Sequence, residues 1–459
     1  MWFNDSYKFI EVIKEKWNTG IGLIMSIIFI VGGFLTLAYF INITNMDGKI
    51  TIPELIIALF ILISIIFIWV FTNRHPKALK NSIGIMVAFT AENIEEKKRV
   101  HSDFINEFKS LFLNTNSSVK FSYIELPEKY HKNLETFEGT LKILTKVKCH
   151  FAIIANSKVR EIKGEDHHLI SMKAMVRHAE VPKEIKENFA NEFSRIFPQK
   201  IAISKKNDFF EMELTSKWID VVVKFIIGIA AYLSYDFSFA EEMLSNVSKR
   251  LKFIKANLPE IAYLKNRVIV HQIDVYNVLI AIWHEKWRLS RDQNDLDKVE
   301  YYNNNLDAID PGNYRVRCMK AIHYFVKNHD LNKAKHEIEL CKGNSDQTWR
   351  FSYAFLLAYE GNLKSALNQY QSAFKKKYEE HIPMEIEEFI YWVLEKEPGK
   401  VQLYFCLGII NMLGKNDKLQ SINDFKLFLN KTSFDHYPNQ RLLAHDYINE
   451  MEQSLQETA

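Results

Sequence analysis

Two long apolar segments near the N-terminus constrain the fold of this chain more than any other feature. Residues 21–41 (IGLIMSIIFIVGGFLTLAYFI) and residues 55–71 (LIIALFILISIIFIWVF) contain no charged side chain. A helix needs about 20 apolar residues, within a range of about 17–25, to cross the hydrocarbon layer of a membrane. Both segments meet that length, the second narrowly, so the sequence predicts two transmembrane helices within residues 1–72. A buried pair of core helices is the alternative.

The basic residues around these segments predict their orientation, because lysine and arginine favour the cytoplasmic side of a membrane. Three lysines precede the first segment and Arg74, Lys77 and Lys80 follow the second, whereas the connection between the segments holds only Lys49. The sequence therefore predicts a two-pass protein of the inner (cytoplasmic) membrane with both termini in the cytoplasm. The four scattered cysteines form no C-x-x-C pair, which agrees with a reducing compartment.

Residues 80–215 alternate between strand and helix patterns, as is typical of an α/β domain. Apolar or alternating runs predict three strands, at residues 83–89, 119–126 and 149–155. Helical patterns separate these strands, at residues 93–113 and 137–145. The order strand–helix–strand–helix–strand predicts parallel crossovers and an α/β layer.

The rest of this region predicts an antiparallel extension of the sheet. Residues 159–162 and 168–178 flank a turn that contains Gly164, so they predict a hairpin on the edge of a mixed sheet. The sequence also predicts a helix at residues 184–196 and two short strands, at residues 201–203 and 209–214.

The strand IGIMVAFTAEN and the pattern KVKCHFAIIANSKVREIKGEDHHLISMKAMV resemble the amino-terminal α/β domain of TolB and its relatives. That resemblance implies a short α/β domain that ends in a hairpin and is often followed by helical repeats. It also implies a surface for binding rather than for catalysis.

The carboxyl ends of the predicted strands form a candidate ligand site, because open α/β sheets bind ligands at that rim. The rim includes Glu92, Asn93, Asn156 and Ser157. A phosphate site would need a glycine-rich turn before a helix N-terminus, yet neither G-x-G-x-x-G nor G-x-x-x-x-G-K-[ST] occurs in the chain. Two interpretations remain open here: a structural or partner-binding layer, and a nucleotide pocket that lacks the usual motif.

Residues 216–459 follow a helical pattern in which small residues recur. Gly228 and Ala240 have the same spacing as Ala354 and Ala366, and a larger residue such as Leu244 follows four positions after the second small one. This frame resembles tetratricopeptide repeats, in which small residues sit where two paired helices cross. The resemblance implies these packing positions: Gly228, Ala240, Leu244, Ala334, Ala354, Ala366, Ala373 and Gly408.

A tetratricopeptide-like array implies a curved solenoid, because each helix pair buries its apolar face only against its neighbours. The family binds peptides or protein partners on the concave face, so the resemblance implies a protein partner for this region. No ligand residues can be assigned by resemblance, because the usual carboxylate clamp is not recognisable. Irregular spacing beyond the interval from Ala334 to Ala366 leaves the number of repeats open.

Several kinds of chemistry are not indicated. The chain carries 59 basic and 56 acidic residues, and this near balance argues against nucleic acid as a partner. Neither H-E-x-x-H nor G-x-S-x-G occurs. His167 and His168 are adjacent on a predicted strand and point to opposite faces, so we expect exposed polar hairpin residues rather than metal ligands. Cys341 occupies a packing position. The sequence therefore predicts no catalytic residue, cofactor or metal.

Together these patterns predict a multidomain protein with a transmembrane hairpin, a small α/β domain with a mixed sheet and an all-α solenoid. Three functions stay open. The first is a non-enzymatic, membrane-anchored scaffold or adaptor that recruits a protein partner. The second is a bacterial membrane-disrupting effector or stress sensor, for example in phage defence, whose hairpin assembles as a homo-oligomer through small residues such as Gly22 and Ser26. The third is an enzyme with an unrecognised site on the α/β rim.

Overall fold

The computed structural model describes residues 20–45, 52–177, 180–205, 208–254 and 259–458. The predicted cytoplasmic tail before Gly20 and residues 46–51 of the predicted external turn lie outside these residues. The chain forms two compact units, Met1–Val268 and Ile269–Ala459. The predicted boundary between residues 215 and 216 lies inside a helix, Asp208–Leu233.

Two apolar helices begin the first unit: α1 (Gly20–Asn45) and α2 (Ile52–Thr72). They pack against each other around a cavity of about 50 Å³ lined by Phe34, Leu62 and other aliphatic residues. Ser26 is buried, and its hydroxyl donates to Gly22 O at 2.7 Å within the same helix. Within the described residues, no helix qualifies as long and apolar enough to cross a membrane. Helices thus occupy both predicted apolar segments, and the predicted two-helix transmembrane hairpin is unsupported.

A mixed sheet forms the centre of the first unit. In the described part of the chain, its strands have the order β2-β1-β3-β4-β5. The strands are β1 (Ser82–Ala91), β2 (Lys120–Glu125), β3 (Phe151–Ile162), β4 (Glu165–Val176) and β5 (Lys200–Ser204). Strand β1 pairs in parallel with β2 and β3, and the remaining pairs are antiparallel. The predicted parallel crossovers and mixed sheet are confirmed.

Two details of the predicted sheet are wrong. The third strand and the first hairpin strand are one continuous strand of 12 residues, β3, because nothing in its sequence interrupts the extended pattern. The hairpin turns at Lys163 and Gly164, whose φ angles of 54° and 82° suit a tight two-residue turn. The hairpin is also not at the edge, because β5 pairs with β4 and takes that position.

Helices cover both faces of this sheet. Helix α3 runs over residues 94–113 with one π-helical turn, and α4 is Phe137–Val147. A short 3-10 helix, Glu128–Leu134, precedes α4, and α5 is Lys183–Ile196. Phe104, Phe108 and Phe112 are buried along one stripe of α3, as the helical period predicts.

The predicted strand at residues 209–214 is wrong, because these residues begin helix α6 (Asp208–Leu233). Met212, Ser216 and Ile219 follow each other at helical spacing and are all buried, so the helical period continues through this segment. Ser216 Oγ donates to Phe104 O at 3.1 Å, which ties α6 to α3. The next helix, α7 (Phe237–Leu251), pairs with α6.

The remaining described elements are all helices. Their bounds are α8 (Pro259–Ser290), α9 (Gln293–Ile309), α10 (Tyr314–Val326), α11 (Leu331–Glu339), α12 (Trp349–Tyr359), α13 (Leu363–Phe374), α14 (Ile382–Lys396), α15 (Leu403–Leu413), α16 (Lys418–Lys431) and α17 (Pro438–Thr458). Helices α10 and α11, α12 and α13, and α15 and α16 form pairs joined by tight turns. Helix α14 lies between two pairs, which explains the irregular spacing in the sequence.

The second helix of each pair begins with the same device. The side chains of Asp236, Asp330, Asn362 and Asp417 each accept a hydrogen bond from a backbone N–H of the first turn. Such caps satisfy one of the N–H groups that a helix start leaves without an intrahelical partner. The recurring pairs and caps make the helical region tetratricopeptide-like.

Candidate functional site

The predicted packing positions lie where paired helices cross. A Cβ atom added at Gly228 would lie 3.2 Å from Met243 Cβ, and one added at Gly408 would lie 2.6 Å from the ring of Phe425. The other predicted positions are buried: Ala240, Leu244, Ala334, Ala354, Ala366 and Ala373. These residues therefore set how closely the helices approach, and none of them presents a side chain to a ligand.

The predicted rim residues of the sheet are close together, and each has a partner within the protein. Asn156 Nδ2 donates to Thr90 Oγ1 at 2.7 Å, between the neighbouring strands β3 and β1. The Glu92 carboxylate forms an ion pair of 3.1 Å with Arg160. These contacts use the polar groups that a ligand at the rim would need.

The other two rim residues belong to a buried polar cluster around Glu96. Asn93 Oδ1 accepts from Glu96 N at 2.8 Å and caps helix α3. The Glu96 carboxylate accepts from Ser157 Oγ and lies 2.8 Å from His168 Nδ1. Ser157 and His168 have no exposed surface, and Glu96 is 4% exposed. The expectation that His168 is a surface hairpin residue is wrong, because α3 covers this part of β4.

The order of the groups in this cluster does not suit nucleophilic catalysis. In a serine triad the histidine lies between the serine and the carboxylate, so that it can take the serine proton. Here the carboxylate of Glu96 lies between Ser157 and His168. His167 Nδ1 lies 2.9 Å from Glu165 O. In the described ranges, no group of three or more histidine, cysteine or acidic side chains could hold a metal ion.

An open cleft of about 1000 Å³ lies beside the sheet of the first unit. Thr90, Asn156 and Lys173 line it from the strands, and His131 and Lys132 line it from the 3-10 helix. His131 Nε2 lies 3.0 Å from Leu126 O. The cleft places the predicted rim next to basic side chains, but its polar lining is already paired at Thr90 and Asn156.

A smaller cavity, of about 140 Å³, opens in the second unit. Helices α8, α10, α12 and α14 line it, and α10 and α12 are the first helices of their pairs. Its wall is aromatic: the ring of Phe355 lies 5.1 Å from that of Phe325 and 5.0 Å from that of Phe389. We call this cavity the aromatic pocket.

Arg291 carries a positive charge into the aromatic pocket. Its guanidinium lies over three rings, 4.9 Å from Trp287, 5.1 Å from Trp392 and 5.7 Å from Phe389. It directly follows helix α8 and has a φ of 55°, with its N–H donating to Trp287 O at 2.7 Å. The Arg291 Nη1 atom is buried and has no hydrogen-bond partner among the described residues. Burial lowers the pKa of Arg291, yet arginine remains protonated in proteins.

The neighbouring Arg288 has a different environment. Its guanidinium donates to both carboxylate oxygens of Glu285 at 2.8 Å and also pairs with Glu388. The hydrogen bond to Glu285 raises the pKa of Arg288. Burial lowers the pKa of His284 to about 4, so this ring is neutral near pH 7. Arg291 is thus the cation of the pocket whose charge a ligand can still neutralise.

The sequence contained a local signal for this site that the repeat frame does not use. His284, Trp287, Arg288 and Arg291 follow the spacing i, i+3, i+4, i+7, which is the spacing of one helix face, and Arg291 lies directly after the end of α8. Trp349, by contrast, is 3% exposed and packs in the core. The rings of α12 and α14 that complete the site come from distant parts of the sequence.

Comparisons with known proteins give little further information. No protein-family model matches this chain, and no curated protein matches it. Among solved structures, it is similar to the P58(IPK) TPR domain, with 12% identity and a TM-score of 0.19 over 55% of this chain and 85% of that one. It is also similar to the TPR2AB domain of yeast Sti1 in a pHSP90 complex, with 12% identity and a TM-score of 0.15 over 59% of this chain and 100% of that one. The helical region is tetratricopeptide-like through its own recurring helix pairs and caps.

Proposed function

We propose that this protein is a non-enzymatic scaffold that recruits a protein partner through the aromatic pocket of its helical unit. The observation that carries the proposal is the Arg291 guanidinium, which lies among three rings with a buried Nη1 atom that no group of the described residues accepts from. A buried donor without a partner costs free energy, and a bound acceptor recovers it. The tetratricopeptide-like architecture supports a binding role of this kind.

The pocket favours a peptide segment that carries a carboxylate next to an apolar side chain. The carboxylate would accept from Arg291 Nη1, in a charge-assisted hydrogen bond that is stronger than a neutral one. A cavity of about 150 Å³ holds one benzene ring, and the aromatic pocket is close to that volume at about 140 Å³. Phe325 and Phe355 would contact the apolar group.

Site-specific photo-crosslinking of the full chain in cells tests this proposal. A photoreactive residue at Ser352, which lines the pocket, should crosslink one dominant protein. The same residue at Lys364, exposed on helix α13, is the matched control and should not crosslink that protein. Arg291→Met should lower the yield from Ser352 by about 10-fold or more, because a hydrogen bond to a charged group contributes about 1.5–3 kcal/mol. Identical partners from both positions would contradict the proposal.

We also propose that the protein is attached to the cytoplasmic face of the inner membrane through α1 and α2. Large apolar side chains of α2 are exposed, with Phe60 at 71%, Phe67 at 68% and Phe71 at 66%. An exposed apolar surface of this kind is typical of a membrane or protein contact. The end of α2 is tied to the α/β domain, because Lys129 Nζ donates to Thr72 O at 2.8 Å and Tyr130 OH donates to Asn73 O at 3.0 Å.

Fractionation tests the attachment separately from partner binding. The full chain should sediment with membranes and stay there in alkaline carbonate. Replacing Phe60, Phe67 and Phe71 together with glutamine should move most of it to the supernatant. The matched triple replacement of Leu419, Leu427 and Leu442, which are exposed in the helical unit, should not. A full chain that carbonate extracts completely would exclude this attachment and leave the pocket proposal unaffected.

A further inference from the structure

Two cysteines of one helix pair lie next to each other in the second unit. Cys318 lies on helix α10, and Cys341 lies just beyond the end of α11. Their Sγ atoms are 4.0 Å apart, and both thiols are free. The other two cysteines, Cys149 and Cys406, are buried, with exposed fractions of 0% and 1%. The fold thus brings the thiols of Cys318 and Cys341 together.

The surroundings of the pair favour reaction at Cys341. Cys341 Sγ lies 3.5 Å from Glu337 O, and the Arg317 guanidinium that pairs with Glu337 at 2.8 Å is close by. A hydrogen bond from Cys318 and the positive charge of Arg317 lower the pKa of Cys341. The thiolate is the reactive form of cysteine. Cys318 is half-buried, so its side chain gives access to the pair from solvent.

We propose that Cys318 and Cys341 form a redox modification site that a hydroperoxide such as hydrogen peroxide oxidises to a disulfide. The Cys341 thiolate attacks the peroxide, the O–O bond breaks, and a sulfenic acid and hydroxide form; the hydroxide takes a proton and leaves as water. The Cys318 sulfur then attacks the sulfenic sulfur, the S–S bond forms and a second water leaves with the Cys318 proton. The two sulfurs together lose two electrons, and the peroxide gains them.

The geometry requires only a local movement. A disulfide holds its sulfurs about 2.05 Å apart, so the Sγ atoms have to approach from 4.0 Å. Cys318 is half-buried and can turn about its χ1 bond, whereas Cys341 is 3% exposed. The bond would join helix α10, which lines the aromatic pocket, to the end of its partner helix α11. This inference does not depend on what the pocket binds.

The test uses the full chain, purified with reduced thiols and treated with one equivalent of hydrogen peroxide. Free thiols are then alkylated, and the chain is digested with trypsin. We expect the peptide Cys-Met-Lys (residues 318–320) joined to residues 336–342 (HEIELCK), two hydrogens lighter than the separate peptides and separated again by dithiothreitol. The joined peptides should form at least about 10-fold faster in the native chain than in guanidinium, because the fold holds the thiols together.

Two variants and two internal thiols serve as controls. Cys149 and Cys406 should not be oxidised by the same treatment, so both should be recovered in the alkylated form. In Cys318→Ser the joined peptides should be lost, and a sulfenic acid on Cys341 should be trapped by dimedone. In Cys341→Ser the joined peptides should be lost without that product. Far-ultraviolet circular dichroism shows that each variant is folded. Joined peptides that form no faster in the native chain, or equal oxidation of all four cysteines, would overturn the proposal.

Discussion

Two buried regions differ in whether their charged side chain is paired. One is the polar cluster around Glu96 in the α/β domain, and the other is the aromatic pocket around Arg291 in the helical unit. Glu96 is 4% exposed, and its carboxylate has partners on the two strands β3 and β4. Arg291 has aromatic neighbours, but its buried Nη1 atom has no acceptor in the part of the chain that the structure describes. The first arrangement is complete without a ligand, and the second is not.

This difference separates groups that hold the fold together from groups that are available for binding. Breaking a satisfied buried network leaves its remaining members without partners, which is costly. Removing a charge that has no ionic partner leaves nothing unpaired behind. A substitution at Glu96 should therefore lower mainly stability, and a substitution at Arg291 should lower mainly partner binding.

The largest loss of stability is expected for Glu96→Ala. This change leaves His168 and Ser157 buried without the carboxylate, and breaking a buried charged network costs about 3–5 kcal/mol. Hydrogen exchange of β3 and β4 in the full chain measures the loss, because it reports local opening free energies.

The neighbouring Glu95→Ala is the matched control. Glu95 is exposed on the same turn of α3, and its replacement should change exchange by less than about 0.5 kcal/mol. Equal effects at both positions would show that the cluster does not hold the sheet together.

The second largest loss of stability is expected where helices α15 and α16 cross in the helical unit, because the two helices pack closely there. A Cβ atom at Gly408 would lie 2.6 Å from the ring of Phe425. Overpacking of this kind costs about 1–3 kcal/mol, so Gly408→Ala should lower the midpoint of thermal unfolding. Gly399→Ala, where an added Cβ meets nothing within 4 Å, should leave the midpoint unchanged or raise it.

The contrast between these regions also shows how far the sequence predicts this molecule. The period of apolar residues located β1, β2 and α3, because neighbours in sequence carry that signal. The partner of His168 is Glu96, which lies 72 positions away in the chain. A local pattern cannot place two such residues together, so the burial of His168 was missed.

The same reasoning explains why the sequence did not predict the aromatic pocket. Trp287 and Arg291 are close in sequence, but the rings of Phe389 and Trp392 come from a helix about a hundred residues further along. The recurring caps at Asp236, Asp330, Asn362 and Asp417 were a readable signal. They mark the start of each second helix more regularly than the small residues do.

A smaller loss of stability is expected at acidic pH, because the side chain of His284 in the pocket wall is buried. Burial lowers its pKa to about 4 in the folded chain, against 6.5 for the ordinary value. Between these values the unfolded chain binds a proton that the folded chain does not. The contribution of His284 to the free energy of unfolding should therefore be fully present above about pH 6.5 and decrease as the pH falls towards 4.

The variant His284→Gln isolates this contribution. The wild-type chain should lose about 1–2 kcal/mol more stability than the variant between pH 7 and pH 5. Thermal unfolding at the two pH values measures the difference. The same acid loss in both chains would assign it to other groups.

The smallest effect on stability is expected where the effect on binding is large, at Arg291→Met. Methionine keeps an unbranched apolar chain among the three rings and removes the guanidinium, whose Nη1 atom has no acceptor among the residues described by the structure. The lost cation–π contacts contribute about 0.5–1 kcal/mol at partly exposed sites, so the unfolding midpoint should change little. Partner crosslinking from Ser352 should nevertheless fall by about 10-fold or more. Arg315→Met, which removes an exposed positive charge outside the pocket, should change neither quantity. A large loss of stability with unchanged crosslinking would instead place Arg291 with Glu96, among the groups that the fold needs for itself.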